Sequence, residues 1–424
     1  LEVNGTIALT TDGSGNATVV NDTQIDFANS TVRGNLVATA TTGNIIDTGV
    51  LTISGTSTFT TSQSNDDITL GSVNVLTGAV ALNTSGSTGH AVVDNGTTAL
   101  IIAASTVGGD LTLTSGAAAG ITDSGAVSVA GNLVATTDDN DGVIDMGTLE
   151  VNGTIALTTD GSGNATVVND DDINFANSTV RGDLTATATT SHITDTGTLT
   201  ITGAAKFITT AAGSNIELDT SDNAFASEVT MQAGNGSNVA FGNIAFVDSE
   251  AVKLHTSAGT NGDLFIDANT DGVAAVGGSL SITATSGNIT QSLPVTVGTT
   301  SSFTTSANNT TITLSNTSNA FTGALTITTN DSSGTDSDAT IDGGTTALII
   351  ATSTIDGDLT LTSGHASGIT DTGNVTVAGN LVATTDANSG VIDMGTLRVD
   401  GTMALTTDGD GNATVVNDTL LDFA

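Results

Sequence analysis

Residues 1–22 read LEVNGTIALTTDGSGNATVVND, and residues 149–170 repeat the same letters without a change. Residues 397–418 read LRVDGTMALTTDGDGNATVVND, which differs at four positions. The stretch contains a short glycine phrase, VNGTI, and two alternating runs on either side of the turn-rich segment TDGSGN. Internal repetition of this kind is typical of repeat architectures, so a stacked unit is a better starting point than a count of globular domains.

The glycine phrase recurs throughout the chain as apolar, any residue, Gly, any residue, apolar. It reads VRGNL at 32–36, VAGNL at 129–133 and again at 377–381, and IDGDL at 355–359. Successive phrases lie some 20 to 30 residues apart, which is the range of solenoid repeats. We interpret the glycine as a structural bend or a point of close backbone approach, since neither GKS, GKT nor a helix follows it as a phosphate loop requires.

Within each unit, Thr or Ser alternates with Leu, Ile or Val, as in TLTITG at 198–203, and clusters of turn formers separate these runs. Alternation predicts strands with one buried face, and stacking buries that face against the next unit. The sequence therefore predicts an all-β parallel β-helix (β-solenoid) of about 17 coils, with roughly 21–32 residues each. Phe59, Phe207 and Phe303 share one context and are expected to point inward.

The composition excludes several classes of protein. The chain has 44 acidic and 5 basic residues and a net charge of −39, which argues against nucleic acid and anionic membranes as partners. It has no Cys, and no apolar run approaches the roughly 18 residues of a membrane span. Intrinsic disorder is disfavoured, because 37% of the residues are hydrophobic and the mean hydropathy is +0.19.

The large-scale repeat predicts the domain layout. We expect residues 1–424 to form a single continuous solenoid, with 1–148 as a shorter supra-repeat, 149–396 as a longer one and 397–424 as the start of a third copy. Comparison of the copies places about four extra coils near 210–305. That insert, with its edge, holds most of the unusual residues: Lys206, Phe225, Phe241, Phe246, Lys253, His255, Phe265 and Pro294. Both ends lie inside the repeat, so the chain is expected to be a window on a longer array.

The repeat resembles the repeat regions of filamentous-haemagglutinin-like exoproteins of the two-partner secretion type and related giant β-strand-repeat surface adhesins. The resemblance rests on GNLVATATTGNIIDTG at 34–49, VAGNLVATT at 129–137 and 377–385, and TLTITG at 198–203. It implies a right-handed β-helical shaft, export to the extracellular cell surface, and a role in adhesion or envelope fibres. The amino-terminal secretion domain of those proteins is missing from this sequence.

Turn aspartates are the candidate metal ligands, because Ca²⁺ prefers carboxylate and carbonyl oxygens. The candidates are Asp12, Asp160 and Asp408 in the TDGSGN-type turns, together with Asp138, Asp139 and Asp141. Neither a full EF-hand loop nor a calcium-binding nonapeptide repeat occurs, and no cofactor is required by any motif. The four His residues, at 90, 192, 255 and 365, do not cluster in the sequence and predict no catalytic site.

We therefore expect a non-enzymatic protein that forms the structural shaft of an extracellular fibre or giant surface adhesin. Lateral or end-to-end self-association is the expected partnership, with a glycan or a cell-surface receptor as a further candidate partner. Two alternatives remain: a carbohydrate-binding module that uses the 210–305 insert, and a polysaccharide-cleaving β-helix enzyme with clustered carboxylates in a groove.

Overall fold

A computed structural model describes residues 1–234, 242–254, 263–266, 274–330 and 337–424, and only the backbone of 263–266, 274 and 275. The chain divides into two compact units, Leu1–Ala204 and Ala205–Ala424. The described residues form strands and turns without a helix, and their strand pairings are all parallel. The fold is a parallel β-solenoid of about 17 coils, as the alternating runs predicted. Its handedness stays a prediction.

The strands of the first unit, β1–β26, are in chain order Thr6–Ile7, Ala17–Asn21, Ile25–Phe27, Ser30–Val32, Leu36–Ala40, Ile45–Asp47, Leu51–Ile53, Ser57–Thr61, Ile68–Leu70, Val75–Leu76, Val80–Asn83, Ala91–Asp94, Leu100–Ile102, Ser105–Val107, Leu111–Ser115, Ile121–Asp123, Val127–Val129, Leu133–Thr137, Ile144–Val151, Thr154–Thr158, Ala165–Asn169, Ile173–Phe175, Ser178–Val180, Leu184–Ala188, Ile193–Asp195 and Leu199–Ile201.

The strands of the second unit, β27–β51, are Ala205–Thr209, Ile216–Leu218, Ala224–Phe225, Val229–Gln232, Ile244–Asp248, Val252–Leu254, Asp263–Ile266, Ala274–Val276, Leu280–Ala284, Ile289–Gln291, Val295–Val297, Ser301–Thr305, Ile312–Leu314, Ala320–Phe321, Ala324–Thr328, Ala339–Asp342, Leu348–Ile350, Ser353–Ile355, Leu359–Ser363, Ile369–Asp371, Val375–Val377, Leu381–Thr385, Ile392–Val399, Met403–Thr406 and Ala413–Asn417.

An ordinary coil consists of one long strand followed by two short strands. The long strand Leu36–Ala40, for example, precedes the short strands Ile45–Asp47 and Leu51–Ile53. Each strand pairs with its counterpart one coil further on, so that Leu36 lies beside Ser57 and Ala38 beside Phe59. Alternate residues are buried in most of the described strands, because side chains point in turn to the two faces of a sheet.

Some coils differ, because two long strands follow one another across a turn. In one of them the turn 159–164 joins Thr154–Thr158 to Ala165–Asn169. The first of these strands pairs with a long strand in the preceding coil and with two short strands in the next. The second pairs with the eight-residue strand Ile144–Val151 of the preceding coil, across a register shift, and with one long strand in the next. We call such a coil an exchange coil, since the long strand and the pair of short strands change sides of the solenoid there.

The same arrangement recurs in both units. The full arrangement occurs again in the coils with the strand pairs Val80–Asn83 and Ala91–Asp94, and Ala324–Thr328 and Ala339–Asp342. Three further coils share part of it and are also called exchange coils. They have the strand pairs Thr6–Ile7 and Ala17–Asn21, Met403–Thr406 and Ala413–Asn417, and Val229–Gln232 and Ile244–Asp248, and in the last of them the first strand pairs with the four-residue strand Asp263–Ile266 in the place of two short strands. The repeated 22-residue stretch is therefore the sequence of an exchange coil.

The core of each coil is packed by size complementarity. Phe59, Phe207 and Phe303 are fully buried, which confirms their inward orientation. A small residue, Ser57 or Ser301, precedes two of them on the inner face. Leu36 lies beside Ser57 and Ala38 beside Phe59, so between these two coils each large side chain meets a small one. This alternation fills the interior at the density that protein cores require.

Candidate functional site

The six candidate calcium ligands lie in surface turns. Asp12, Asp138, Asp139, Asp141 and Asp408 are exposed, and Asp160 is half-buried. Their side chains mostly accept hydrogen bonds from nearby backbone: the N–H of Gly13 donates to Asp12 Oδ1 at 2.7 Å, and that of Asn140 donates to Asp139 Oδ1 at 2.8 Å. Such bonds fix the turn and leave other oxygens of these carboxylates facing solvent.

Asp141 links two of the predicted turns. Its Oδ1 atom accepts a hydrogen bond from the Ser162 N–H at 2.7 Å, in the exchange-coil turn of the following coil. The backbone of Asp141 adopts the left-handed conformation, with a φ of 55°, which Asp tolerates better than most residues. In the longer supra-repeat Ser389 takes its place, and the Asp410 N–H donates to Ser389 Oγ at 3.3 Å. The structure thus brings the turn of Asp138–Asp141 against the turn of Asp160.

No group of three or more His, Asp or Glu side chains with metal-binding geometry occurs among residues 1–234, 242–254, 276–330 and 337–424. Calcium therefore stays a prediction for these turns. His90, His192 and His365 lie in separate coils, and His255 lies outside the described residues. His90 Nδ1 accepts a hydrogen bond from the Asp110 N–H at 2.9 Å, and His365 Nδ1 accepts one from the Ser367 N–H at 3.0 Å.

The aromatic residues of the 210–305 insert belong to the core where the structure describes them. Phe225 and Phe246 are each 2% exposed, and their ring centroids lie 5.1 Å apart. These two rings are therefore covered and cannot stack on a bound sugar. Phe241 lies outside the described residues, and Phe265 belongs to a strand of which only the backbone is described.

A ladder of Asn, Asp and His side chains that the sequence analysis did not predict runs along a corner within each unit. Each side chain accepts a hydrogen bond from the backbone N–H of the equivalent residue in the next coil, as between Asp110 Oδ1 and Asn132 N at 2.8 Å. We call this the corner ladder; its members include Asn44, Asp67, His90, Asp110 and Asn132 in the first unit and Asp338, Asp358 and Asn380 in the second.

The corner ladder explains the glycine of the recurrent phrase. A Cβ atom on Gly131 would lie 2.4 Å from Asp110 Oδ1, and one on Gly379 would lie 2.3 Å from Asp358 Oδ1. Neither glycine has a positive φ. Close approach, and not an unusual backbone conformation, is therefore what requires glycine here. The signal in the sequence is the Asn or Asp that follows the glycine.

Buried asparagines close the sheet edges at exchange coils. Because an exchange coil has only two strands, the last residues of the preceding coil lack a full strand above them: Val75–Leu76 pairs only with the coil below it, and the pairing of Ile144–Val151 with the exchange coil ends at Leu149 and Asn169. Asn169 fills this gap: its Oδ1 accepts the Val151 N–H at 2.8 Å and its Nδ2 donates to the Val151 carbonyl at 3.1 Å. We call Asn21, Asn95, Asn169 and Asn417 the edge asparagines, since all four make this pair of bonds.

A side-chain carboxamide suits this position because it offers one acceptor and one donor, as a peptide group does. The pair of bonds continues the backbone ladder past the last strand and leaves no unpaired group at the edge. Asn95 and Asn169 are fully buried, so water cannot replace them. Edges that end in this way do not offer a template for pairing with other chains.

Serine side chains supply a hydrogen-bond acceptor for a backbone N–H that strand pairing leaves unpaired in the exchange coils. A long strand there faces two short strands, and the N–H opposite their junction has no ladder partner. Ser178 Oγ accepts this hydrogen bond from the Leu157 N–H at 3.1 Å and donates to the Ala176 carbonyl at 2.9 Å. Equivalent serines are Ser30, Ser105 and Ser353.

A cavity of about 310 Å³ lies beside a bulge in β19. The pairing register of β19 and β21 shifts between Met146 and Leu149. Asp123 holds the bulge, because its Oδ2 atom accepts hydrogen bonds from both the N–H and the Oγ1 of Thr148 at 2.7 Å. Glu150 and Asp170 line the cavity, among other residues.

The part of the chain that the structure describes contains no helix that could span a membrane.

Comparison with known proteins identifies a repeat family. A family described as repeats of unknown function (DUF5649) matches residues 14–83, 88–144, 162–232 and 259–328, which is more than half of the chain, and the chain belongs to this family. No curated protein and no solved structure matches it. The matches at 14, 88 and 162 begin in the turns of exchange coils, and those ending at 83, 232 and 328 stop where the first long strand of such a coil ends.

Proposed function

We propose that this member of the DUF5649 repeats is a structural shaft of an extracellular fibre or giant surface adhesin, without enzymatic activity in this region. The single observation that carries the proposal is the corner ladder, which joins coil to coil by side-chain bonds in addition to the strand pairing. A protein that only positions a catalytic site does not need reinforcement along successive coils. A protein under axial load does.

The surface chemistry fits the same proposal. The net charge of −39 keeps neighbouring shafts hydrated and apart at low salt. Thr and Val share the outward positions of the long strands, and Val37, Val134 and Val382 are 36–40% exposed. Lateral contact between shafts would therefore strengthen as salt screens the charge.

Electron cryo-microscopy of the purified chain tests the shaft directly. We expect rods with an axial repeat of about 4.8 Å, the spacing of hydrogen-bonded strands. End-to-end or lateral association should appear as filaments or bundles above about 0.5 M salt, where the Debye length is only a few ångströms. Irregular particles without an axial repeat would contradict the shaft. Rods that stay single at every salt concentration would contradict self-association.

Carbohydrate binding is the second candidate, favoured by the cavity that Glu150 and Asp170 line. A glycan array of the wild type and of the double variant Glu150→Gln, Asp170→Asn would test it. A glycan bound by the wild type and lost in the variant would support a binding module. Release of reducing ends from that glycan would instead support a polysaccharide-cleaving enzyme and contradict the non-enzymatic proposal.

A further inference from the structure

Asp248 occupies the position of an edge asparagine. It is the last residue of the second long strand in the exchange coil formed by Val229–Gln232 and Ile244–Asp248. Asp248 is 1% exposed, and its Oδ1 atom accepts a hydrogen bond from the Phe225 N–H at 3.3 Å. Phe225 ends the short strand Ala224–Phe225, so this contact corresponds to that of Asn169 with Val151.

An ionised carboxylate cannot reproduce the second bond of an edge asparagine. Each of the four edge asparagines donates from Nδ2 to the carbonyl of the residue whose N–H it accepts. A carboxylate has only acceptor oxygens, and it would set negative charge against the carbonyl at a buried edge. A protonated carboxyl group has the missing donor.

We propose that Asp248 is protonated in the folded chain at acidic pH and that its O–H donates to the Phe225 carbonyl, so that ionisation of Asp248 opens the edge strand Ala224–Phe225. The carboxyl group then acts as a protonation-dependent latch. Opening of the edge would loosen Phe225, whose ring packs against Phe207 and Phe246 at centroid distances of 6.1 and 5.1 Å. The latch therefore couples pH to an aromatic cluster in the core of the second unit.

The electrostatic surroundings agree with this geometry. Burial raises the pKa of Asp248 from 3.8 to about 6, and the hydrogen bonds from the Phe225 and Glu250 N–H groups offset only part of that effect. The negative charge of Glu250 contributes to this rise in the pKa. Val229–Gln232 and Leu280–Ala284 carry no charged residue, and the other neighbouring segments carry Glu217, Asp219, Asp222, Glu228, Glu250 and Lys253.

The sign of the pH dependence follows from the raised pKa. Between the ordinary pKa and about 6, the open edge loses its proton while the closed edge keeps it. Closure is therefore strongest below pH 4 and weakens as the pH rises through 6. A shift of about two pKa units corresponds to a change on the order of 100-fold in the opening equilibrium. At neutral pH the edge at Phe225 is the weak point, while the edge at Val151 is not.

Hydrogen–deuterium exchange tests the latch in the full chain, with protection factors corrected for the intrinsic pH dependence of exchange. In the wild type, we expect protection of the Phe225 amide to fall on the order of 100-fold between pH 4 and pH 7. In Asp248→Asn, protection should stay at its high value across that range. The Val151 amide, held by Asn169, provides the internal control in both proteins.

The reverse substitution tests whether an Asp in place of an edge asparagine is sufficient to make that edge sensitive to pH. Asn169→Asp should give the Val151 amide the pH-dependent loss that the wild type shows only at Phe225, while the Phe225 amide behaves as before. The proposal is overturned if protection of Phe225 in the wild type does not change with pH. It is equally overturned if Asp248→Asn keeps the loss of protection, because the latch would then not reside in Asp248. If Asn169→Asp fails to fold, Asn95→Asp at Leu76 replaces it.

Discussion

Asp110 Oδ1 accepts a hydrogen bond from the Asn132 N–H at 2.8 Å, and Asn132 Oδ1 in turn accepts one from the Thr154 N–H at 2.8 Å. The side chain of one coil thus positions the backbone of the next, and that residue repeats the action. Such a chain of local bonds links coils without requiring any long-range contact, in keeping with the quasi-one-dimensional character of solenoids.

Removal of one member should weaken the corner ladder measurably. Asn132→Ala removes acceptors for the Thr154 N–H and Oγ1 and a donor to Asp110. We expect a loss of about 1–2 kcal/mol in the free energy of unfolding, the usual range for such bonds. Chemical denaturation measures it. Asn152→Ala is the control, because Asn152 is exposed in the next turn; an equal loss in both variants would refute a special role for the ladder.

The glycine of the recurrent phrase should not tolerate a methyl group. Gly131→Ala would place Cβ 2.4 Å from Asp110 Oδ1 and 2.7 Å from the carbonyl carbon of Gly109, so the coils must move apart. We expect a loss of roughly 3 kcal/mol or more in the free energy of unfolding. Gly147→Ala, where nothing lies within 4 Å, should change it by less than about 1 kcal/mol. Equal effects in thermal melts would show that close approach is not the constraint.

Two buried serines should respond in opposite directions to the same substitution. Ser178→Ala leaves the Leu157 N–H without its acceptor and should cost about 1–3 kcal/mol of unfolding free energy. Ser57 Oγ is buried and has no hydrogen-bond partner among the described residues, so Ser57→Ala should be neutral or stabilising by up to about 1 kcal/mol. Denaturant midpoints compare the two variants. Destabilisation by Ser57→Ala would mean that its hydroxyl is satisfied after all.

Calcium binding at the turns remains to be tested, and Asp141 offers a precise way. Because Ser389 fills the same place in the longer supra-repeat and accepts a similar hydrogen bond, Asp141→Ser should leave the stability of the calcium-free chain nearly unchanged. If the turns bind calcium, the ion should raise the melting temperature of the wild type more than that of the variant. Identical melts of the wild type with calcium and with a chelator would contradict the calcium prediction.

Local patterns predicted much of the fold. The alternation of Thr with aliphatic residues was sufficient to predict parallel strands, and the shared context of Phe59, Phe207 and Phe303 was sufficient to predict their burial. Both properties depend on which face of a strand a residue occupies, and the alternation of polar and apolar residues along the sequence indicates that face.

The exchange coils and their polar closures could not be predicted in the same way. Whether a strand such as Thr154–Thr158 pairs with one long strand or two short ones depends on residues about 20 positions away on either side. Asn169 and Asp248 look like ordinary turn residues in the sequence, and only the missing third strand shows why a donor and an acceptor are needed there. The calcium prediction follows from the oxygen-rich composition of the turns, which does not reveal how many of those oxygens already accept hydrogen bonds within the turn.

In the first unit, the side of the solenoid on which the long strands lie depends on whether an odd or an even number of exchange coils precedes them. The family repeats begin 74 residues apart at 14, 88 and 162, and each contains one change of sides. After one repeat the strands therefore follow in the same order but lie on the opposite side of the solenoid. Ala17–Asn21 and Ala165–Asn169 belong to the same sheet, whereas Ala91–Asp94, halfway between them in the sequence, belongs to the other sheet. The identical stretches at 1–22 and 149–170 are two repeats apart. Adding a single repeat would turn every later outward residue to the opposite side, and adding two would leave the exterior in phase.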